Sequence, residues 1–333
     1  MDFTACILKP RGPLHLGERE GLREGSSAFI HSDTIFSALC HCLRLLYGRQ
    51  ELETFLAACV GPTPPVRLTS AFPFWNDEFY FPVPQNVLPG VKDRKRIKYV
   101  GCSEFQRLLA APHFTADSLV RGIPRPERRT VTGETRWVKP WRIEDVPKVL
   151  ISRLSGTVDE GGFYHIGLVS YDRAEPFFLV EFSAPAWEPR LRAGINLMAE
   201  EGTGGYRSTG KGSFETPRYE KLTLEVPDSA DAWLTLSLYS PAEAELPRPE
   251  AGWYDLVSRS GYVFSPECQS LRRKAVRLFV EGSVFPGAAR IGRLVDVTPD
   301  SALGLGLDHR VWRCGLAFAV PCRLAADERV GAA

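Results

Sequence analysis

The chain has 333 residues, 44% apolar and 24% charged, with a formal net charge of +1. That composition argues against a disordered, collagenous or disulfide-scaffold protein, and the length predicts two domains rather than one. The opening MDFTACILKPRG lacks a signal-peptide apolar run, and no segment approaches the roughly 20 apolar residues a membrane helix needs, so a cytoplasmic protein is expected.

In chain order, Phe3 to Leu8 reads as a strand, and PRGPLHLGEREGLREGSS as a long glycine-rich loop. A helix follows: Ser32 is a suitable N-cap, Asp33 complements the helix start, and Ile35, Phe36, Leu39, Leu43 and Leu46 trace an apolar stripe that stops at Gly48. Val66 to Ala71 and Phe79 to Val83 read as strands around the turn residues Asn76 and Asp77. Ser103 to Ala111 reads as a second helix, and HIGLVS with PFFLVEFS as further strands. This β-α-β-β-α-β order predicts an α+β chain whose first domain, residues 1–184, is ferredoxin-like, with 112–165 inserted as a basic projection. The Pro-rich SAPAWEPR at 183–190 marks the expected boundary. Beyond it the pattern restarts as a second, less regular ferredoxin-like domain over 185–333. It has a helix from Leu191 to Met198, a glycine loop, strands at 220–226 and 233–240, a helix or loop near 252–270, and strands at 275–285 and 311–320.

The loop GTGGYRSTGKGSF at 202–214 suggests a nucleotide-hydrolysing P-loop, because Gly205, Gly210 and Lys211 fit G-x-x-x-x-G-K. Two observations argue against it. Gly212 stands where a Mg²⁺-binding hydroxyl is required, and a helix precedes the loop while a strand follows, the reverse of the P-loop order. The eight cysteines form no C-x-x-C pair, and Cys40-His41-Cys42 puts its ligands at neighbouring helix positions that diverge, so neither metal nor disulfides are expected. Charge is uneven. Residues 90–155 carry 15 Lys and Arg against 7 Asp and Glu, leaving 26 against 33 elsewhere. Within this region Lys92, Arg94, Lys95, Arg96 and Lys98 are almost consecutive beside Tyr99, and seven further cations from Arg121 to Arg142 are interleaved with Trp137 and Trp141. Cations for phosphates beside rings that stack on bases suit single-stranded nucleic acid, and a solvated charged face over buried tryptophans is the alternative.

GPLHLGE at 12–18, IHSDTIFSALC at 30–40, ISRLSGTVDEGGFY at 151–164 and GTGGYRSTGKGSF, in that order, resemble the RAMP superfamily of CRISPR proteins. The spacing is most similar to subunit four of type III-A (Csm) effector complexes. The resemblance implies a non-catalytic subunit that grips the repeat-derived 5′ handle of the CRISPR RNA (crRNA), contacts the large polymerase-like subunit, abuts the first backbone RAMP subunit, and kinks the guide with a β-hairpin thumb. It implies that Gly204, Gly205, Arg207, Ser208, Thr209, Gly210, Lys211 and Gly212 line the handle, that His31 and Ser32 share that groove, and that Arg153 sits at the thumb base. No cofactor is implied. Physically, glycines let a backbone approach RNA phosphates closely, while Arg207, Ser208, Thr209 and Lys211 supply donors. A glycine-rich turn with no ligand is the plain alternative for the loop.

Two rivals differ in class. Some RAMP proteins cleave CRISPR RNA with a histidine near the first helix, and His31 occupies a comparable place, although no second His, Tyr and Lys set is evident around it. The other is a bridging protein that makes no RNA contact, since sheets of this kind also serve as protein interfaces.

Overall fold

The computed structural model describes residues 1–17, 26–87, 97–113, 127–131, 134–138, 140–245, 252–266, 268, 271–300 and 307–324. It is an α+β chain with antiparallel sheets. Strand β1 (Asp2–Ile7) leads through the first glycine-rich segment to α1 (Ser32–Val60), then to β2 (Val66–Leu68), β3 (Phe72–Trp75) and β4 (Glu78–Pro82). The β3–β4 turn is made by Asn76 and Asp77, both with positive φ, as a tight hairpin requires. After β5 (Tyr99–Gly101) and α2 (Cys102–Ala110) come two hairpins, β6 (Glu127–Val131) with β7 (Glu134–Val138), and β8 (Trp141–Ile151) with β9 (Val158–Tyr171). The chain then re-enters the main sheet as β10 (Glu175–Phe182), forms α3 (Glu188–Glu201), and returns as β11 (Arg218–Thr223).

The main sheet runs β11-β1-β10-β3-β4-β5, with β2 also on β10. β11 pairs with β1, from Asp2 opposite Thr223 to Ile7 opposite Arg218, which brings the strand after the glycine loop into the main sheet. Helix 188–201 and the glycine loop thus lie between two strands of the main sheet, β10 and β11. Proline marked a break in secondary structure at 183–190, which is a local property; the sheet partner of β11 lies more than two hundred residues upstream.

Alternation along the central strands buries the sheet on both faces. Cys6, Leu8, Phe178 and Val180 join Leu39, Leu43, Ile195 and Met198 under the two long helices. Phe3, Ala5, Ile7, Phe177 and Leu179 join Phe105 and Leu108 of α2 with Leu234, Leu236, Phe318 and Val320 of the C-terminal region. Each fully buried phenylalanine there contributes about 1.5–3 kcal/mol. The crossing of α1 and α3 depends on Gly194, where an added Cβ would lie 2.7 Å from Leu39. Helix α1 runs past the expected stop: Gly48, with φ +84°, breaks its path, and a second helical stretch carries Phe55 and Cys59 into the core.

The C-terminal region is built from β12 (Ala232–Thr235), β13 (Leu256–Arg259), β14 (Val276–Phe279), β15 (Val284–Pro286), β16 (Gly292–Asp296), β17 (Trp312–Leu316) and β18 (Ala319–Cys322). They form a three-stranded sheet β15-β12-β18 and the pairs β13-β14 and β16-β17. The described residues here hold no α-helix, and the stretch near 252–270 supplies β13. All eight cysteines are free, and burial pushes the Cys42 thiol up to about 12. Among the described residues no three His, Cys, Asp or Glu converge for a metal, and no helix is long and apolar enough to cross a membrane.

Candidate RNA interface

The glycine loop links the C-terminus of α3 to β11, and its shape is set by its own backbone. Gly202, Gly204, Gly210 and Gly212 all have φ between +75° and +92°. At Gly204 an added Cβ would collide with the His15 carbonyl, and at Gly212 with that of Thr203. These glycines therefore have an internal reason to be there, besides any approach to a ligand. The loop is laced to the first glycine-rich segment by Gly205 N–H to His15 O (2.9 Å) and Gly212 N–H to Pro13 O (3.2 Å). His15 holds its own place through Nδ1 and the Gly167 carbonyl (2.7 Å), with its ring against Tyr206.

Between this loop, α1 and the C-terminal region lies a cavity of about 730 Å³. Gly204, Gly205, Arg207 and Ser208 line it from the loop, and Arg259, Phe264, Arg273 and Arg313 from the other side. The loop follows the C-terminus of α3, so the helix dipole does not attract an anion there, and the guanidinium groups carry the positive character instead. Arg207 lies over the Phe264 ring at 4.6 Å, and the His41 ring meets Phe264 edge-on at 5.1 Å. Burial, and then Arg207, lower the His41 pKa from its ordinary value.

Asp33 anchors the cationic wall. Its fully buried carboxylate accepts from Arg259 Nε and Nη2 (3.0 and 3.1 Å) and from Arg313 Nη1. Burial works against ionisation, but Arg259 and Arg313 outweigh it and hold the Asp33 carboxyl well below the usual carboxylate range. One residue earlier, Ser32 is the first residue of α1 and not its N-cap. The N-cap is His31, which makes no side-chain capping bond. Ser32 is buried, its N–H donating to Ser70 Oγ (2.8 Å) and its hydroxyl accepting from Leu238 N–H (2.9 Å). Its side chain thereby joins the start of α1 to the C-terminal region.

His31 lies beside the loop, on a small cavity of about 80 Å³ shared with His15, Gly204, Gly205 and Arg259. Its Nδ1 is 2.8 Å from Glu281 Oε1, and Ser70 Oγ donates to the same oxygen. For His31, burial opposes the charge, but Glu281 raises its pKa overall; for Glu281, burial is outweighed by His31 and Ser70, which lower its pKa. A histidine with a raised folded-state pKa contributes stability that is complete below its unfolded value of about 6.5 and is lost as pH climbs through the folded value. We expect the urea midpoint of the wild type to fall as pH rises across that window and that of His31→Gln to stay level. Parallel curves would show that the pair does not form in solution.

The remaining expected residues divide. Thr209 and Gly210 are exposed, and Lys211 is half-buried outside the cavity wall. Gly212 is turned inward. Arg153 is exposed in the turn at the tip of the β8–β9 hairpin, whose base is Trp141 opposite Tyr171. The segment 151–164 spans the reversal of this strand pair. Lys98 is exposed beside β5, while Lys92, Arg94, Lys95 and Arg96 lie outside the described residues. Arg259, Phe264, Arg273 and Arg313 were missed because they are scattered over fifty residues, with only Arg273 in a short basic run, Arg272-Arg273-Lys274. Arg-Ser-Gly-Tyr-Val-Phe at 259–264 is the local signal that could have flagged them.

A family model of the CRISPR Csm4 C-terminal domain matches residues 228–322. Two curated Csm4 proteins align over nearly the whole chain. That of Methanocaldococcus jannaschii is 25% identical over 342 residues, 89% of each chain, and that of Thermococcus onnurineus is 23% identical over 333 residues, 95% of each. Among solved structures, a chain of a Csm3–Csm4 subcomplex from a type III-A interference complex matches with TM-score 0.66 and 19% identity, covering 96% of this chain and 99% of that one. A chain of a Csm1–Csm4 cassette bound to pppApA matches with TM-score 0.61 and 20% identity, covering 98% and 100%. Fold likeness from end to end, the family match over residues 228–322 and the curated relatives that span nearly the whole chain agree: the chain is Csm4-like.

Proposed function

We propose that this chain is a non-catalytic subunit of a type III-A CRISPR interference complex, which binds the 5′ handle of the crRNA and bridges the large polymerase-like subunit to the backbone RAMP filament. The observation that carries this reading is the cationic cavity walled on one side by the glycine loop. A backbone with no side chains at Gly204 and Gly205 faces Arg259 and Arg273 across a space open to a polynucleotide. The partners follow from the relatives, whose solved chains are paired with Csm1 and with Csm3. The order β11-β1-β10-β3 supports a ferredoxin-like first unit, with the β8–β9 hairpin as its thumb, and the family match supports a second domain beginning near 228. The protein works in the cytoplasm. A cleavage role for His31 is disfavoured by its salt link to Glu281, which engages its Nδ1.

Coexpression of the chain with its neighbouring CRISPR genes, followed by sequencing of copurified RNA, tests the reading. Repeat-derived 5′ ends protected only when this chain is present are expected; an assembled complex whose RNA ends do not depend on it would sink the assignment. On purified protein, RNA affinity should fall with salt, and Arg207→Ala and Lys211→Ala should each flatten the log–log slope by about 0.7, the value for one phosphate contact on a single strand. An unchanged slope would remove that residue from the interface. The same titration on Lys95→Ala with Arg96→Ala decides whether that run touches phosphate or is merely solvated.

A further inference from the structure

The segment 260–265 follows β13 and faces the glycine loop. Along it side chains alternate: Val263 is 2% exposed, while Tyr262 and Phe264 are 52% and 55% exposed. Both exposed rings carry a guanidinium, Arg272 over Tyr262 at 5.4 Å and Arg207 over Phe264 at 4.6 Å. The segment is held in this shape by Val263 N–H to Leu271 O (2.8 Å) and Arg273 N–H to Gly261 O (2.9 Å), so the rings are presented on a fixed backbone. We propose that Tyr262 and Phe264 form a stacking platform for nucleobases of a single-stranded RNA whose phosphates run along the glycine loop. The proposal rests on the RNA-binding reading and adds where the bases go.

Three features select RNA over a protein surface. Flat rings that are half exposed and two residues apart offer π-faces on the same side of an extended segment, which any base can use. The rings are embedded in cations, Arg207, Arg272, Arg273 and Arg259, so a polyanion supplies the countercharge that an apolar protein face does not. Finally, Arg207 belongs to the glycine loop while its guanidinium rests on Phe264, so one residue connects the phosphate-facing and base-facing sides. A base on either ring leaves the adjacent guanidinium within reach of its phosphate.

The test is RNA binding by full-length protein, using the repeat-derived handle RNA and a same-length RNA with abasic positions. Phe264→Ala and Tyr262→Ala should each weaken binding of the base-bearing RNA by about 5- to 150-fold and leave abasic RNA unaffected. Phe264→Trp and Tyr262→Phe should bind like wild type. Because both side chains are exposed, all four variants are expected to fold, and circular dichroism verifies it; Phe264→Leu, apolar without a π-face, should behave as Phe264→Ala. Equal losses on both RNAs, or none, would overturn the platform while leaving the RNA-binding function standing. Normal RNA binding with lost capture of a purified partner subunit would reassign the rings to a protein interface. Wild-type protein that binds neither RNA would overturn the platform together with the reading on which it rests.

Discussion

Gly212→Ala is expected to destabilise the protein by more than about 3 kcal/mol, against about 1–2 kcal/mol for Gly210→Ala. The two residues have nearly the same backbone, φ +76° and +75°, so the left-handed penalty is shared and cancels in the comparison. What differs is the surroundings. Around Gly210 nothing lies within 4 Å of an added Cβ, whereas at Gly212 the Cβ meets the carbonyl oxygen of Thr203. Relieving that contact pulls apart the bonds from Thr203 N–H to Gly212 O (2.9 Å) and from Gly212 N–H to Pro13 O (3.2 Å), at about 0.5–1.5 kcal/mol each. Urea unfolding of the two variants measures the difference; equal midpoints would mean that the loop relaxes freely and that its glycines answer to a ligand alone.

Asp33→Ala should cost about 3–5 kcal/mol, because it leaves Arg259 and Arg313 charged, buried and without their carboxylate. The loss arises from uncompensated charge, so adding Arg313→Met to Asp33→Ala should recover part of it, whereas independent contributions would add. Acid should mimic the variant. The Asp33 pKa is lower folded than unfolded, so its contribution is complete above the unfolded value of about 3.9 and is lost as pH falls through the folded value. RNA affinity should drop with Asp33→Ala even under conditions where the protein remains folded, since both arginines line the cavity. A folded Asp33→Ala variant with wild-type stability would show that the two halves of the chain are held together elsewhere.

Much of the local structure was legible in the residues. The Asn76–Asp77 reversal, the order helix, glycine loop, strand, and the expected apolar stripe as far as Leu43, though not the exposed Leu46, express demands that a short stretch makes on its own backbone. Gly48 was read as a stop because glycine ends helices as often as it breaks them; Phe55 and Cys59, buried in the core, carry the helix onward. The candidate site was half legible. Its glycine wall is contiguous in sequence, while its cationic wall draws on Arg259, Arg273 and Arg313, which become neighbours only through Asp33 and the packing of the C-terminal strands.

The assignment of strands to units was not legible, and the physics explains why. An alternating strand such as 218–223 exposes the same pattern whichever sheet receives it, so period and composition established that it is a strand and not that it pairs with β1. The order of helices and strands was enough for the α+β class, and the four ordered segments carried the likeness to Csm4 proteins. The pairing of β11 with β1, the burial of Ser32, and the meeting of Arg207 with Phe264 depend on contacts between residues far apart in the chain, and only tertiary packing decides those.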